Sequence, residues 1–281
     1  MAVIGSLPYR QFDPAWGKDL MWDRAKVIEV HRRYNGDSRA AAEELLHHYR
    51  GGNTIAKEGC LLTCLAMVLR LLRPRGRGTT PRALNKFAHQ QHYYTLAGLA
   101  MATLYADIVC EASKGEVQLL LKEEYLSGEP DWPEGTHASE CLPLRAYRML
   151  SRRERRDVVI VLKIGTYDDT LASHFVVVDP GNPGPPDDDD VPILDPAQPM
   201  NSTKRVWRLS DSSRRMRQED EIDKEWRRHR IGDLQLAGVW VFARWESADQ
   251  DLLGRRFIVR LGSLVQSSAA QPGVAPGGVV R

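Results

Sequence analysis

The chain has 281 residues, and its 39 basic and 37 acidic side chains leave a formal net charge of +2. This near-neutral balance excludes the strongly basic field typical of nucleic-acid-binding proteins, so we expect no nucleic-acid partner. Hydrophobic residues form 42% of the chain, which is ordinary for a globular protein, but no run reaches the roughly 18 apolar residues of a membrane span.

Helical periodicity dominates the first half of the chain. The segment that begins at Cys60 is apolar nearly all round, which is typical of a helix buried at the centre of a domain. Thr80 followed by Pro81 has the sequence of an N-cap and a first helical residue, so another helix is expected there. The helices predicted around the Cys60 helix cover, in chain order, about residues 23–34, 39–50, 81–91, 115–126 and 139–151.

Runs of β-branched residues dominate the second half. They predict strands over residues 158–164, 173–179, 191–194, 238–245 and 256–261. The aspartate-rich stretch 180–190 is expected to be an exposed loop. Residues 204–230 alternate in charge, which favours a solvated helical excursion. Residues 262–281 are small and polar, and we predict that this tail is disordered.

Helices followed by a run of strands indicate an α+β fold, in which an antiparallel sheet packs on the central helix. We expect one domain over residues 1–261, with inserted helices at about 23–50 and the charged excursion at about 204–230. The first residues carry no secretory-signal pattern. The expected location is therefore the cytoplasm, or the exterior by a route that needs no cleaved signal peptide.

A cysteine, a histidine and an aspartate, in this order along the chain, form a set that suits nucleophilic catalysis. Cys60 follows a glycine at a helix start, where backbone N–H groups and the helix dipole favour a thiolate. His174 lies in a predicted strand that can hold an imidazole against a packed helix, and it is the candidate base. Asp195 ends the next strand and would lie beside His174 in a meander, where a carboxylate can orient the imidazole. The four cysteines show no CxxC spacing, so we expect no metal and no cofactor.

The surroundings of these residues resemble those of C39-like peptidases, which belong to the papain-like superfamily. The resemblance rests on the segment that begins Glu58-Gly59-Cys60, on the strand that begins His174-Phe175-Val176, and on Thr80-Pro81, Ile193-Leu194-Asp195-Pro196 and Gln11-Phe12-Asp13-Pro14-Ala15-Trp16. It implies a papain-like fold with Cys60 as nucleophile, His174 as base and Asp195 as the third member of the triad. It also implies that Gln11 donates a hydrogen bond to the oxyanion.

The chain departs from the family pattern in three places. The segment between Gln11 and Cys60 is long, and Asn53 or Thr54 are the next candidate oxyanion donors. Cys64 offers a second thiol one helical turn after the first. The loop between the second and third strands is also long, which makes Asp179 a rival to Asp195.

The resemblance implies a cysteine peptidase that hydrolyses peptide or amide bonds of a peptide or protein substrate through a thioester. Three alternatives remain open at this level. The same site would suit a peptidoglycan amidase or endopeptidase delivered as an effector. The scaffold would also suit an inactive papain-like module that binds peptides. The charged segment 204–230 would suit an interaction protein built around that surface.

Overall fold

The computed structural model describes residues 9–21, 32–35, 37, 39–40, 54–73, 79–95, 98–99, 104–125, 135–165, 173–220, 235–245, 257 and 261. The predicted helices at 23–34 and 39–50 lie outside the described residues, apart from a few residues between 32 and 40. The predicted tail at 262–281 and the last part of the charged excursion, 221–230, also lie outside them.

The described helices agree with most of the helical predictions. The Cys60 helix and the helix after Thr80 are both present, and the prediction at 139–151 corresponds to a shorter helix. The α-helices are α1 (Ile55–Glu58), α2 (Cys60–Leu72), α3 (Pro81–Gln90), α4 (Leu104–Ala112), α5 (Leu142–Arg148) and α6 (Leu209–Asp220). Among them, no helix has the length and apolar character needed to cross a membrane.

Two sheets contain the described strands. A short hairpin pairs β1 (Tyr94–Thr95) with β2 (Gly98–Leu99). The main sheet has seven antiparallel strands in the order β3-β9-β5-β6-β7-β8, and β4 also pairs with β9. Its strands are β3 (Val117–Glu124), β4 (Thr136–His137), β5 (Val158–Gly165), β6 (Ser173–Val178), β7 (Pro192–Leu194), β8 (Trp207–Arg208) and β9 (Gln235–Arg244). Helices with an antiparallel sheet confirm the predicted α+β class.

β5, β6 and β7 form a meander at the centre of this sheet, which is the arrangement in which Asp195 was expected to lie beside His174. β6 pairs with β5 on one side, with His174 opposite Ile164, and with β7 on the other side, with Val177 opposite Leu194. This register brings the first residues of β6 close to the residues that follow β7. The end of the meander is the place where the candidate base and carboxylate meet.

Both faces of the sheet are covered, because the apolar side chains of β5 alternate between two clusters. Val159 and Val161 belong to the cluster built around α2, whereas Val158 and Ile160 belong to the cluster that includes α5. Most of α2 is fully buried, as its all-round apolar sequence predicts. Burial of each large aliphatic side chain stabilises the fold by about 1.5–3 kcal/mol, so α2 is held firmly on the sheet.

Two predictions of secondary structure were wrong. The predicted helix at 115–126 is strand β3, because Gly115 adopts a positive φ of 82° that ends the turn after α4. The chain then pairs with β9, and this long-range pairing overrides the local helical preference. The predicted strand at 256–261 is also incorrect, since its described residues, Phe257 and Leu261, are helical. Phe257 is buried in the cluster on the face of the sheet that α5 covers.

Candidate active site

Cys60 is the first residue of α2, directly after a tight corner between two helices. Gly59 ends α1, where its N–H donates to the Ile55 carbonyl at 2.9 Å, and it also precedes the first turn of α2. The predicted loop before Cys60 therefore contains a helical turn. A Cβ at Gly59 would lie only 2.4 Å from the Ile55 carbonyl oxygen. The sequence requires glycine here because the two backbones approach so closely.

His174 is the second residue of β6 and is 6% exposed. Its strand is tied to α2 by a hydrogen bond from the Cys64 thiol to the carbonyl of Phe175, with a sulfur–oxygen distance of 3.2 Å. Cys64 lies one turn after Cys60, so this bond fixes the position of β6 relative to α2 next to the imidazole. The second thiol of the helix is thus a buried structural contact, and burial is the main cause that raises its pKa.

The structure brings Cys60, His174 and Asp195 together. The Nε2 of His174 lies 2.7 Å from Oδ1 of Asp195, and the Cys60 side chain also hydrogen-bonds to the imidazole. Because Nε2 is engaged by the carboxylate, Nδ1 is the ring nitrogen left for the thiol. Asp179, the rival carboxylate, follows the opposite end of β6 and accepts a bond from the Gly181 N–H instead.

The carboxylate of Asp195 is completely buried and accepts three hydrogen bonds. Oδ1 accepts from the His174 ring and from the backbone N–H of Ala197 at 2.7 Å, and Oδ2 accepts from the Ser212 hydroxyl at 2.7 Å. Ser212 was not predicted to be part of the site, because it lies in the segment expected to be solvated. No local pattern distinguishes this serine from its neighbours in the charged run.

Electrostatics favour the charged forms of both partners. Burial alone would lower the pKa of His174, but the charge and hydrogen bond of Asp195 and the contact with Cys60 outweigh it and raise that pKa to about 9. Burial would likewise raise the pKa of Asp195, but His174, Arg215 and Ser212 together lower it to about 2. The pair therefore exists as imidazolium and carboxylate over a wide pH range.

This ion pair predicts a pH-dependent contribution to stability. The His174 contribution is complete below its unfolded pKa of 6.5 and is lost as the pH rises toward 9, whereas the Asp195 contribution is complete above 3.8 and is lost as the pH falls toward 2. We expect His174→Gln to lower the free energy of unfolding by roughly 1–3 kcal/mol near pH 5. The difference should shrink steadily up to about pH 9.5, because a neutral imidazole and a carboxamide are similar donors.

Urea unfolding of both proteins at several pH values measures this difference. If the difference in free energy of unfolding between wild type and His174→Gln stays constant or grows with rising pH, the assigned ion pair is contradicted.

Gln11 lies between the two halves of the site. Its backbone N–H donates to the carbonyl of Pro196, the residue after Asp195, and its side-chain amide donates to the carbonyl of Ala56, four residues before Cys60; both distances are 2.8 Å. Of the other candidate donors, Thr54 precedes α1 and Asn53 lies outside the described residues. The long segment between Gln11 and Cys60 therefore does not keep Gln11 away from the site.

Arg10 anchors this N-terminal segment to the chain that follows Asp195. Its guanidinium donates to the backbone carbonyls of Pro199, Met200 and Ser202 at 2.6–2.9 Å. The side chain is almost completely buried. Segment 9–11 and the chain after Asp195 are thus held as one unit.

The described residues contain no group of three or more His, Cys, Asp or Glu side chains arranged to hold a metal ion. A groove of about 490 Å³ lies between residues 199–204 and α6. Arg215 lines it and also acts electrostatically on Asp195, so the groove adjoins the carboxylate end of the site rather than the thiol. Comparison of the chain with protein-family models, curated proteins and solved structures gives no match.

Proposed function

We propose that this chain is a papain-like cysteine hydrolase that cleaves peptide or amide bonds, as its resemblance to C39-like peptidases implies. The observation that carries the proposal is the continuous hydrogen-bonded series of Cys60, His174 and Asp195, with the thiol at the start of a buried helix. A nucleophile, a base and an orienting carboxylate in contact are the features that define such a site.

The first half of the reaction forms a thioester. In the resting ion pair His174 already holds the thiol proton of Cys60 on Nδ1, and the Cys60 thiolate attacks the carbonyl carbon of the substrate. Asp195 accepts the Nε2 proton in a hydrogen bond throughout, so it keeps the correct tautomer and stabilises the imidazolium. The nitrogen of the scissile bond then receives the proton from Nδ1 and leaves as an amine.

The oxyanion of each tetrahedral intermediate needs hydrogen-bond donors. Cys60 is the first residue of α2, where the N-terminal N–H groups and the helix dipole stabilise negative charge. The Gln11 amide has two protons, of which one is donated to Ala56. We assign the oxyanion to the Cys60 N–H and the second amide proton of Gln11.

The second half of the reaction releases the acyl group. His174, now neutral, takes a proton from water, and the resulting hydroxide attacks the thioester carbon. The carbon–sulfur bond breaks, the product leaves as a carboxylic acid, and Cys60 returns to a thiolate beside the imidazolium. No cofactor takes part in either half, because every proton is exchanged between substrate, water and the two side chains.

The pH dependence of Cys60 alkylation tests the proposal without knowledge of the substrate. We expect iodoacetamide to modify Cys60 readily below pH 7 in the wild type, because an imidazolium partner favours the thiolate. His174→Ala should remove this reactivity at low pH. Mass spectrometry of the modified peptides reports each cysteine separately, and the half-buried Cys110 provides an internal reference.

His92→Ala is the matched control, since His92 follows α3 and is exposed, whereas His174 is buried. Its Cys60 profile should equal that of the wild type. If Cys60 reacts only in the alkaline range of an ordinary thiol, or identically with and without His174, the hydrolase proposal is wrong. The scaffold would then be better described as a binding module.

A further inference from the structure

Asp195 needs more than His174 to work as an orienting group. A carboxylate rotates about a soft sp³–sp² bond, so a single hydrogen bond to Oδ1 does not hold its plane. In this protein Ala197 N–H adds a second donor at Oδ1, and Ser212 donates to Oδ2 at 2.7 Å. Asp195 and Ser212 are both completely buried. The hydroxyl is therefore the donor that the described residues give to the second carboxylate oxygen.

The helix that carries Ser212 is anchored next to the site at its first turn. The Leu209 N–H donates to the carbonyl of Val191, directly before β7, at 2.9 Å. The backbone N–H and hydroxyl of Ser210 donate to the two oxygens of Asp190 at 2.8 and 3.0 Å. Because β7 leads straight into Asp195, these bonds fix α6 relative to the carboxylate.

The acidic loop takes part in this anchoring, although it was predicted to be an exposed loop. Besides Asp190, Asp189 accepts from the N–H of Ser139 at 2.8 Å, and Asp188 accepts from Arg208 at 3.1 Å. These carboxylates connect the loop before β7 to the turn before α5, to β8 and to α6. The aspartates of this loop thus make structural hydrogen bonds, and those of Asp190 hold α6 beside the candidate site.

We propose that Ser212 is a positioning residue of the site, which holds the Asp195 carboxylate in the orientation that faces His174 Nε2. This inference rests on the proposed function, since it gives Ser212 a role in the same reaction. Arg215, one turn further along α6, contributes positive charge near the same carboxylate. The charged segment 204–220 then belongs to the active-site scaffold rather than to a solvated appendage.

The test compares Ser212→Val with Ser212→Thr, which add similar bulk but differ in the hydroxyl. The readouts are the rate of Cys60 alkylation by iodoacetamide at about pH 6 and the NMR titration of the His174 imidazole. We expect Ser212→Val to slow alkylation about tenfold and to lower the imidazole pKa, because a carboxylate held only at Oδ1 supports the imidazolium less well. Ser212→Thr should stay close to the wild type.

Ser212→Ala provides a second comparison without added bulk, in case the branched side chains disturb folding at this buried position. It should show the same loss as Ser212→Val. Equal rates in the Val and Thr variants, or a wild-type rate in the Ala variant, would overturn the role of Ser212. Faster alkylation without the hydroxyl would also overturn the role of Ser212. It would mean that the Ser212 hydrogen bond only weakens Asp195 as an acceptor for the His174 imidazolium.

The parallel measurement on His174→Ala separates the two proposals. If His174→Ala leaves the Cys60 rate unchanged, the proposed hydrolase function fails and the positioning role fails with it. A large effect of His174→Ala combined with no effect of Ser212→Val removes only the role of Ser212.

Discussion

Replacement of Asp195 by Asn is expected to lower the rate of acyl transfer about 10- to 100-fold, the effect of losing one charge-assisted hydrogen bond. Asn has nearly the same shape as Asp, and its oxygen can still accept from Ala197 and His174 while its NH₂ group meets the Ser212 hydroxyl. The loss would therefore come from the missing negative charge, which stabilises the imidazolium. Release of p-nitrophenolate from p-nitrophenyl acetate under single-turnover conditions measures acylation of Cys60 without a known peptide substrate.

Asp179→Asn is the matched control for this experiment. Asp179 follows the other end of β6, and the oxygen of Asn can still accept the bond from Gly181. Its acylation rate should equal that of the wild type. A large loss in Asp179→Asn, or normal acylation in Asp195→Asn, would mean that the catalytic carboxylate is not Asp195.

Gly59→Ala is expected to destabilise the protein by about 2–4 kcal/mol and to remove most of the low-pH reactivity of Cys60. The added Cβ would lie 2.4 Å from the carbonyl oxygen and 2.7 Å from the Cα of Ile55. Both are main-chain atoms of α1, so the corner between α1 and α2 must open to make room. Urea unfolding gives the loss of stability, and iodoacetamide alkylation reports whether Cys60 still meets His174.

Gly181→Ala is the matched control for Gly59→Ala, because an added Cβ is expected to be tolerated at this position. The nearest atom to its Cβ would be Oδ1 of Asp179 at 3.3 Å, at the end of a side chain that can adjust. We expect a change in the free energy of unfolding within about 0.5 kcal/mol. Equal effects of the two substitutions would contradict the assigned packing at Gly59.

The elements nearest the site follow well from local sequence patterns. The helix that begins at Cys60 and the strands β5, β6 and β7 are strongly periodic, and their boundaries agree with the prediction to within about two residues. β3 was mistaken for a helix, because its leucines, lysine and glutamates all have high helix propensity. Its pairing with β9, more than a hundred residues later, decided its conformation.

The candidate site was only partly visible from the sequence. Cys60, His174 and Asp195 stand out because each lies at the start or just after the end of a predicted element, whereas Gln11 was a candidate only through the resemblance to C39-like peptidases. The structure brings all four to one region. Their catalytic roles remain predictions for the experiments above. Ser212 was missed, because nothing in the local sequence of a charged helix indicates that one serine hydroxyl donates to a buried carboxylate.

Local sequence patterns were sufficient for the order of the elements around the site, the start of the buried helix at Cys60 and the positions of β5, β6 and β7, because hydrophobic periodicity and turn residues act over short distances. The folded arrangement was needed to establish that Asp195 rather than Asp179 meets His174, that β9 lies between β3 and β5, and that α6 brings Ser212 to the carboxylate. These outcomes depend on pairings between residues far apart in the chain. Their free energy comes from buried hydrogen bonds and packing that exist only once the whole domain has folded.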